Sequence, residues 1–197
     1  MEPTFDGDEA AGTSEVLFEV GSLRALPRTG WRQDGIPLSV AETVAEHSHR
    51  VAVIAATLAK LEGADPNRAA LLGAFHDIPE ARTGDLTPLT RRYVTAADPR
   101  KVVADQTAAA HPAVGNLFAD AIAEFEEGTT LEARCAREAD KLDCLLRAAE
   151  YRAAGVPAVQ GKIARCRAAL TMTSAQEIAD AALAADPTAW QAAPTPR

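Results

Sequence analysis

A histidine followed directly by an aspartate is the feature of this sequence best suited to metal chemistry. His76 and Asp77 lie in the most apolar helical segment of the chain, Ala69 to Ile78. A carboxylate in apolar surroundings is destabilising unless it is paired or binds a cation. The pair therefore offers one nitrogen and one oxygen ligand from a rigid element. The alternative interpretation is a helix end with a solvated acidic face.

His47 is a second candidate ligand because it falls on the apolar side of its predicted helix. At about 100° per residue, His47 shares a stripe with Val44 and Val51. His49 points to the opposite side and is expected to face solvent. The alternative for His47 is a core histidine that hydrogen bonds to a backbone carbonyl.

Two carboxylates follow the His-Asp pair. Glu80 comes three residues after Asp77 and shares its side of the helix, and Asp85 follows a glycine in a turn. Pro79 removes a backbone donor and should kink or end the helix, which either aims Glu80 into the site or displaces it. Two imidazoles with carboxylates suit one divalent ion of Mn, Co, Fe, Zn or Mg. Such an ion polarises a phosphoryl oxygen, and Glu80 or Asp85 could protonate a leaving oxygen.

Hydrolysis of a phosphate ester also requires positive groups for the non-bridging oxygens. Arg28 and Arg50 are the first candidates, followed by Arg82. Arg50 comes three residues after His47 on the same predicted helix, and Arg28 lies in the predicted loop from Pro27 to Trp31. Each arginine taken alone is more often a surface residue.

Five ordered motifs resemble the HD-domain phosphohydrolases, and in particular the YfbR-like branch, whose members are 5′-deoxynucleotidases. The motifs are residues 27–31 (PRTGW), 43–48 (TVAEHS), 76–80 (HDIPE), 84–88 (GDLTP) and 139–143 (ADKLD). A single His-Asp pair is weak evidence, whereas five motifs in this order and spacing, over residues 14 to 155, are strong evidence.

The resemblance implies a role for each matching residue. The implied metal ligands are His47, His76, Asp77 and Asp140; the implied catalytic carboxylates are Glu80 and Asp85; the implied substrate contacts are Arg28 and Trp31. Asp140 rests on the resemblance alone, because helical periodicity places it opposite the apolar stripe of its helix. Asp143 lies on a similar side and is the rival ligand.

The elements that must hold these residues have helical periodicity throughout. Thr43 with Glu46 forms a capping box that begins a helix, as does Thr129 with Glu132. Asp65 followed by proline begins another. The sequence predicts one all-α domain, an HD-type helical bundle of roughly seven to nine helices, over residues 14–185. Flexible tails are expected at residues 1–13 and 186–197.

Composition and charge exclude several classes of protein. The net charge of −8 argues against binding to nucleic-acid polymers or anionic membranes. No apolar run approaches the roughly 18 residues of a membrane span, and the acidic N-terminus lacks the apolar core of a signal peptide. Three dispersed cysteines indicate buried thiols of a cytoplasmic protein. Apolar faces on the last two helices could serve a homodimer.

We therefore expect a metal-dependent phosphohydrolase that releases phosphate from deoxyribonucleoside 5′-monophosphates. In this interpretation the Trp31 indole packs against the sugar and crowds a ribose 2′-hydroxyl, whereas the alternative is that the indole plugs the bundle from outside. Two other functions stay open. One is hydrolysis of a nucleoside di- or triphosphate or another phosphorylated metabolite, and the other is a ligand-binding HD domain without turnover.

Overall fold

The computed structural model describes residues 7–192, and every regular element in that range is helical. The prediction of an all-α fold is confirmed. Eight of the α-helices have eight or more residues, while α2 and α5 are single turns. The α-helices are α1 Gly7–Gly21, α2 Thr29–Gln33, α3 Val44–Glu62, α4 Pro66–Phe75, α5 Glu80–Thr83, α6 Pro99–Gln106, α7 Pro112–Glu127, α8 Leu131–Ala153, α9 Gln160–Ala169 and α10 Thr173–Ala184. Short 3₁₀ turns cover Ser22–Ala25, Thr90–Arg92, Pro157–Val159 and Ala189–Ala192.

Local capping residues set where α3 and α4 begin. The Thr43 hydroxyl accepts from the backbone N–H of Glu46, whose carboxylate accepts from the backbone N–H of Thr43 at 2.7 Å. This is the predicted capping box. Asp65 caps α4 as predicted, accepting from the backbone N–H of Asn67. The cap of α8 is Thr130, one residue after the predicted position.

Helices α3, α4 and α8 pack against one another and form the centre of the core. Their contacts are lined by small side chains, so the backbones come close together. A Cβ atom added at Gly73 would lie 3.0 Å from the Cα of Ala52, which marks the tight crossing of α4 over α3. The buried residues of this core on the three helices include Val51, Ala55, Leu58, Ala59, Ala69, Leu72, Ala136, Ala139, Leu142 and Leu145.

Two backbone hydrogen bonds fix the segment before α2 beside the start of α3. Arg28 donates its N–H to the carbonyl of Glu42, and Val44 donates to the carbonyl of Leu26, both at 2.9 Å. An isolated bridge therefore joins Pro27 and Thr43. This pairing brings the Arg28 segment next to the turn of α3 that carries His47.

The expectation of a flexible tail through residue 13 is wrong from Gly7 onward, where α1 begins. A Cβ atom at Gly12 would lie only 1.9 Å from the carbonyl oxygen of Ala109, so α1 is packed against the chain between α6 and α7. Sequence periodicity missed this turn because a glycine makes the contact. Residues 1–6 and 193–197 of the predicted tails lie outside the described residues. None of the helices between residues 7 and 192 is long and apolar enough to cross a membrane.

Candidate metal centre and its cavity

Four side chains from three parts of the core converge on one point. His47 lies in the first turn of α3, His76 and Asp77 directly follow α4, and Asp140 lies in the middle of α8. Oδ2 of Asp77 is 3.1 Å from Nε2 of His76 and 3.6 Å from Nε2 of His47. Oδ1 of Asp140 is 3.3 Å from Nε2 of His47. The predicted ligands are therefore neighbours in the folded chain.

The two imidazoles are held through their Nδ1 atoms. Nδ1 of His47 donates to Oδ2 of Asp143 at 2.6 Å, and Nδ1 of His76 donates to the carbonyl oxygen of Gly73 at 2.8 Å. Both Nε2 atoms are buried and have no hydrogen-bond partner among the described residues. Metal-binding histidines have this arrangement, in which one ring nitrogen is anchored and the other is free to bind the ion.

The donor set fits a divalent cation. Ligand atoms of His47, His76 and Asp77 all lie within 4.8 Å of one another. Although burial opposes it, the pKa of Asp77 is lowered to about 2 by His76, His47 and Arg28. The pKa of Asp140 also lies well below its ordinary value, because the favourable contacts with His47 and Lys141 outweigh burial. Two ionised carboxylates and two imidazole nitrogens suit a borderline or hard metal ion.

The charge around His47 favours a cation at this point. Burial and Arg28 lower the pKa of His47, but contacts with Asp140, Asp143 and Asp77 outweigh them and raise it to about 9. Carboxylates that hold a proton on a buried imidazole also stabilise a metal ion that takes the place of that proton. The described residues therefore fit the group that the sequence implied.

Asp140 and Asp143 occupy opposite sides of the His47 ring. Asp140 faces Nε2 and the cavity, whereas Asp143 faces Nδ1 and also accepts from Nε of Arg50. The geometry thus favours Asp140 over Asp143 as the fourth ligand. Periodicity placed Asp140 away from the apolar stripe because its side of α8 faces the cavity rather than the core.

A cavity of about 480 Å³ lies over the ligand cluster. A second space of about 260 Å³ shares part of its lining with the first, namely Asp77, Glu80, Arg91 and Asp140. The charged residues that line the larger cavity are Arg28, Asp34, Asp77, Glu80, Asp85, Arg91, Asp140, Lys141, Lys162 and Arg165. The cavity therefore brings cationic groups together with the acidic cluster, as an anionic substrate would require.

Glu80 places a partly buried carboxyl group beside the candidate ligands. Pro79 ends the preceding turn, and Glu80 begins α5. Its Oε2 atom is buried and has no hydrogen-bond partner among the described residues. Burial, followed by repulsion from Asp77 and Asp85, raises the pKa of Glu80 to about 9. At neutral pH this group can donate a proton.

Asp85 and Arg28 line the cavity together, and Asp85 helps to position the segment that carries Arg28. Asp85 follows Gly84, whose φ of 72° and ψ of 161° suit a glycine, and its carboxylate accepts from the backbone N–H of Thr29 at the start of α2. Nη1 of Arg28 lies 3.3 Å from Oδ2 of Asp77. Burial lowers the pKa of Arg28, but Asp77 and Asp140 raise it further, so the guanidinium stays charged.

Trp31 is a core residue that also forms part of the wall of the larger cavity. The residue is only 1% exposed, and its Nε1 donates to Oε2 of Glu42 at 3.1 Å. Nζ of Lys162 lies 3.8 Å from the ring centroid, and the ring of Tyr151 packs edge-on at 5.0 Å. Trp31 nevertheless lines the larger cavity, so the contact of its indole with a sugar stays a prediction, whereas the predicted loop is corrected, because Trp31 lies within α2.

Arg50 is not among the residues that line the cavity, so the structure gives no support to its predicted contact with a phosphate. Its Nε donates to Asp143 and its Nη1 donates to Glu150 at 2.6 Å. It is absent from the residues that line either cavity. Arg82, the third candidate, forms a bidentate pair with Glu19 on the surface. Carboxylates distant in the sequence engage both guanidinium groups.

Two residues of this region were not predicted from the sequence. Glu42 is buried beside Trp31. Its backbone N–H donates to the Tyr151 hydroxyl at 3.0 Å. Lys162 pairs with Asp34 at 2.6 Å in the wall of the cavity. Neither position carries a periodic or motif signal, since both contacts join elements that are far apart in the chain.

Comparison with known proteins agrees with this geometry. The chain is 31% identical over 154 residues to the 5′-deoxynucleotidase HDDC2 of Xenopus laevis, covering 72% of this chain and 71% of that protein. It is 29% identical over 141 residues to the protein of the same name from Dictyostelium discoideum, covering 66% and 73% of the two chains.

A solved structure and a family profile extend the comparison. A conserved hypothetical protein from Pyrococcus furiosus superimposes with a TM-score of 0.71 and 27% sequence identity, over 87% of this chain and 99% of that one. The profile described as HD domain matches residues 20–178, which include all four candidate ligands. The chain therefore belongs to the HD-domain family.

Proposed function

We propose that this protein is a divalent-metal-dependent phosphohydrolase that releases phosphate from deoxyribonucleoside 5′-monophosphates. One observation carries the proposal. The unpartnered Nε2 atoms of His47 and His76 converge with two ionised carboxylates beneath a cavity that also holds Arg28 and Glu80. The name 5′-deoxynucleotidase borne by the relatives supports the choice of substrate.

Each part of the site has a distinct role in this reaction. When bound by His47, His76, Asp77 and Asp140, a divalent cation supplies Lewis-acid stabilisation of charge on the phosphoryl group. Arg28 binds a non-bridging phosphoryl oxygen, and its contact with Asp77 holds the guanidinium beside the ligand cluster. Because this arginine is positioned before substrate enters, little reorganisation is required.

Glu80 acts as the general acid. Burial and the neighbouring carboxylates keep its proton in place at neutral pH, and the proton passes to the 5′ oxygen as the nucleoside leaves. Asp85 holds the start of α2 and thereby the segment that carries Arg28. The cavity of about 480 Å³ falls in the range of roughly 300–1,000 Å³ found for small-molecule sites.

A phosphate-release panel tests the proposal. Metal-free protein is reloaded with Mg, Mn, Co or Zn and given deoxy- and ribonucleoside 5′-monophosphates, 3′-monophosphates, and deoxynucleoside di- and triphosphates. We expect release from 5′-monophosphates only, faster for the deoxy series. Faster release from triphosphates favours hydrolysis of nucleoside triphosphates as the function. If no metal supports release, the remaining alternative is a ligand-binding domain without turnover.

Metal binding is measured in parallel on matched histidine variants. His47→Ala should abolish stoichiometric metal, because it removes a buried ligand, whereas His49→Ala should retain it, since His49 is exposed on the other side of α3. Equal metal content in the two folded variants contradicts the ligand assignment.

A further inference from the structure

Two of the three cysteines meet in the wall of the larger cavity. Cys144 lies on α8 one turn after Asp140, and Cys166 lies on α9 one turn after Lys162. Both residues line the cavity. Each thiol is the first cause of the other's altered pKa: that of Cys144 is raised well above its ordinary value, and that of Cys166 is lowered. Cys166 belongs to the buried cluster against which Cys144 packs, and the two thiols hydrogen bond to each other, so the pair meets where α9 packs on α8.

The surroundings favour reaction at this pair over the third cysteine. Beyond the contact with Cys144, Lys141 and Lys162 also lower the pKa of Cys166, against the opposing effects of burial and Asp140. Cys135 lies away from this pair. It is fully buried in the core, it does not line either cavity, and burial raises its pKa to about 11.

We propose that Cys144 and Cys166 are an oxidation site, at which hydrogen peroxide forms a reversible disulfide that ties α8 to α9 across the cavity wall and lowers turnover. The thiolate of Cys166 attacks one peroxide oxygen, hydroxide leaves, and the sulfur becomes a sulfenic acid. The thiol of Cys144 then attacks that sulfur, the S–S bond forms, and water leaves. In total, two thiols and one peroxide yield one disulfide and two water molecules.

The disulfide changes the shape of the cavity because it shortens the distance between the sulfurs. A bonded pair is about 2.05 Å apart, closer than two thiols in van der Waals contact. Closing this gap draws α9 toward α8 and moves Lys162, which lies over the ring of Trp31 and pairs with Asp34. A displacement of about 1 Å near a site can reduce turnover by about 100-fold.

The disulfide itself stands independently of the proposed function, whereas its effect on turnover rests on that function. The experiment therefore measures the fluorescence of Trp31 as well as phosphate release. In a Trp190→Phe background, Trp31 is the remaining tryptophan of the two in the chain, and its fluorescence reports on the contact with Lys162. This readout does not depend on any substrate.

The test treats this background protein with hydrogen peroxide and counts free thiols. We expect a fall from three to one, a link from tryptic peptide Leu142–Arg147 to the peptide with Cys166, altered Trp31 fluorescence, and loss of phosphate release. Dithiothreitol should reverse all four. Cys135→Ser should respond like the background, while Cys166→Ser, or Cys144→Ser if that variant does not fold, should form no link.

Three outcomes contradict the proposal. Three free thiols after treatment exclude the disulfide, and a link that involves Cys135 assigns the chemistry to another site. A Cys144–Cys166 link that leaves both Trp31 fluorescence and turnover unchanged excludes the effect on the cavity. If the protein releases no phosphate before oxidation, the proposed function fails, and the thiol count and fluorescence still decide whether the disulfide forms.

Discussion

His47 and Asp143 face each other where α3 packs on α8, with Nδ1 and Oδ2 2.6 Å apart. Asp143 is fully buried and also accepts from Arg50. Because Nδ1 of His47 donates to this carboxylate, Nε2 points toward Asp77 and Asp140. A residue outside the ligand set thus fixes the orientation of one ligand.

Replacement of Asp143 by asparagine should weaken metal binding by about 10- to 100-fold. The change removes the negative charge that makes His47 a better ligand and leaves Arg50 with one fewer charged partner. Competition with a metal-binding dye measures the affinity. Glu150→Gln is the matched control, since Glu150 also pairs with Arg50 but does not contact His47. An equal loss in both variants would assign the effect to Arg50.

Glu80→Gln should lower kcat by about 10²- to 10⁴-fold, the usual contribution of a general acid. Metal content and KM should change little, because Glu80 is not placed among the ligands. Steady-state kinetics on the best substrate of the panel measures the effect. Asp85→Asn should instead raise KM, since it weakens the hold on the N-terminus of α2. Unchanged kcat in Glu80→Gln would remove this residue from the mechanism.

The raised pKa of Glu80 also predicts how stability depends on pH in the metal-free protein. The folded state binds this proton up to about pH 9, whereas the unfolded chain releases it near the ordinary value of 4.5. Between these values the folded state holds more protons at Glu80, so its contribution to the free energy of unfolding falls as pH rises. Denaturant titrations at pH 5 to 9 should show Glu80→Gln gaining stability relative to wild type. Parallel curves for the two proteins would refute the shift.

Arg28→Ala and Arg50→Ala should have different effects, although both arginines were predicted to contact phosphate. Arg28 lines the cavity, so its removal should lower kcat/KM for deoxy- and ribonucleotides alike while metal stays bound. Arg50 pairs with Asp143 and Glu150, so its removal leaves a buried carboxylate with one fewer partner and should destabilise the fold by about 1–3 kcal/mol. Thermal unfolding and kinetics on both variants separate the two roles.

Trp31→Phe should lower stability and leave the ratio of deoxy to ribo activity unchanged, because phenylalanine keeps an aromatic ring in the wall of the cavity. The substitution removes the bond from Nε1 to Glu42, and the loss of a partner at a buried polar group costs about 1–3 kcal/mol. Chemical unfolding measures the stability, and the substrate panel measures the ratio. A ratio that falls toward one would assign the discrimination between sugars to the indole itself.

Local signals in the sequence predicted the features that depend on neighbouring residues. Thr43 and Asp65 mark helix starts through hydrogen bonds to residues two or three positions later in the chain. The periodicity of α3 distinguished the buried His47 from the exposed His49. The same periodicity misplaced Asp140, because it detects the apolar core and not a polar cavity.

Side-chain partners that are distant in the sequence account for the other differences. Arg50 is engaged by Glu150, one hundred positions away, and Trp31 packs on Tyr151. Spacing along the chain carries no information about such pairs. Burial of α1 at Gly12 was missed for a related reason. The close contact of Gly12 with Ala109 requires a residue without a side chain, whereas periodicity detects only apolar side chains.

Gly73 links formation of the ligand cluster to folding of the core. The residue lets α4 approach Ala52 of α3, and its carbonyl oxygen accepts from Nδ1 of His76. The bond that orients His76 is local to α4, whereas the distance of His76 from His47 is established only when α3 and α4 have docked. A metal that binds this arrangement binds the native state alone, and at 100 times its dissociation constant it would add about 2.7 kcal/mol to the free energy of unfolding. The supply of the metal would then set how long the folded chain survives proteolysis, apart from any effect on catalysis.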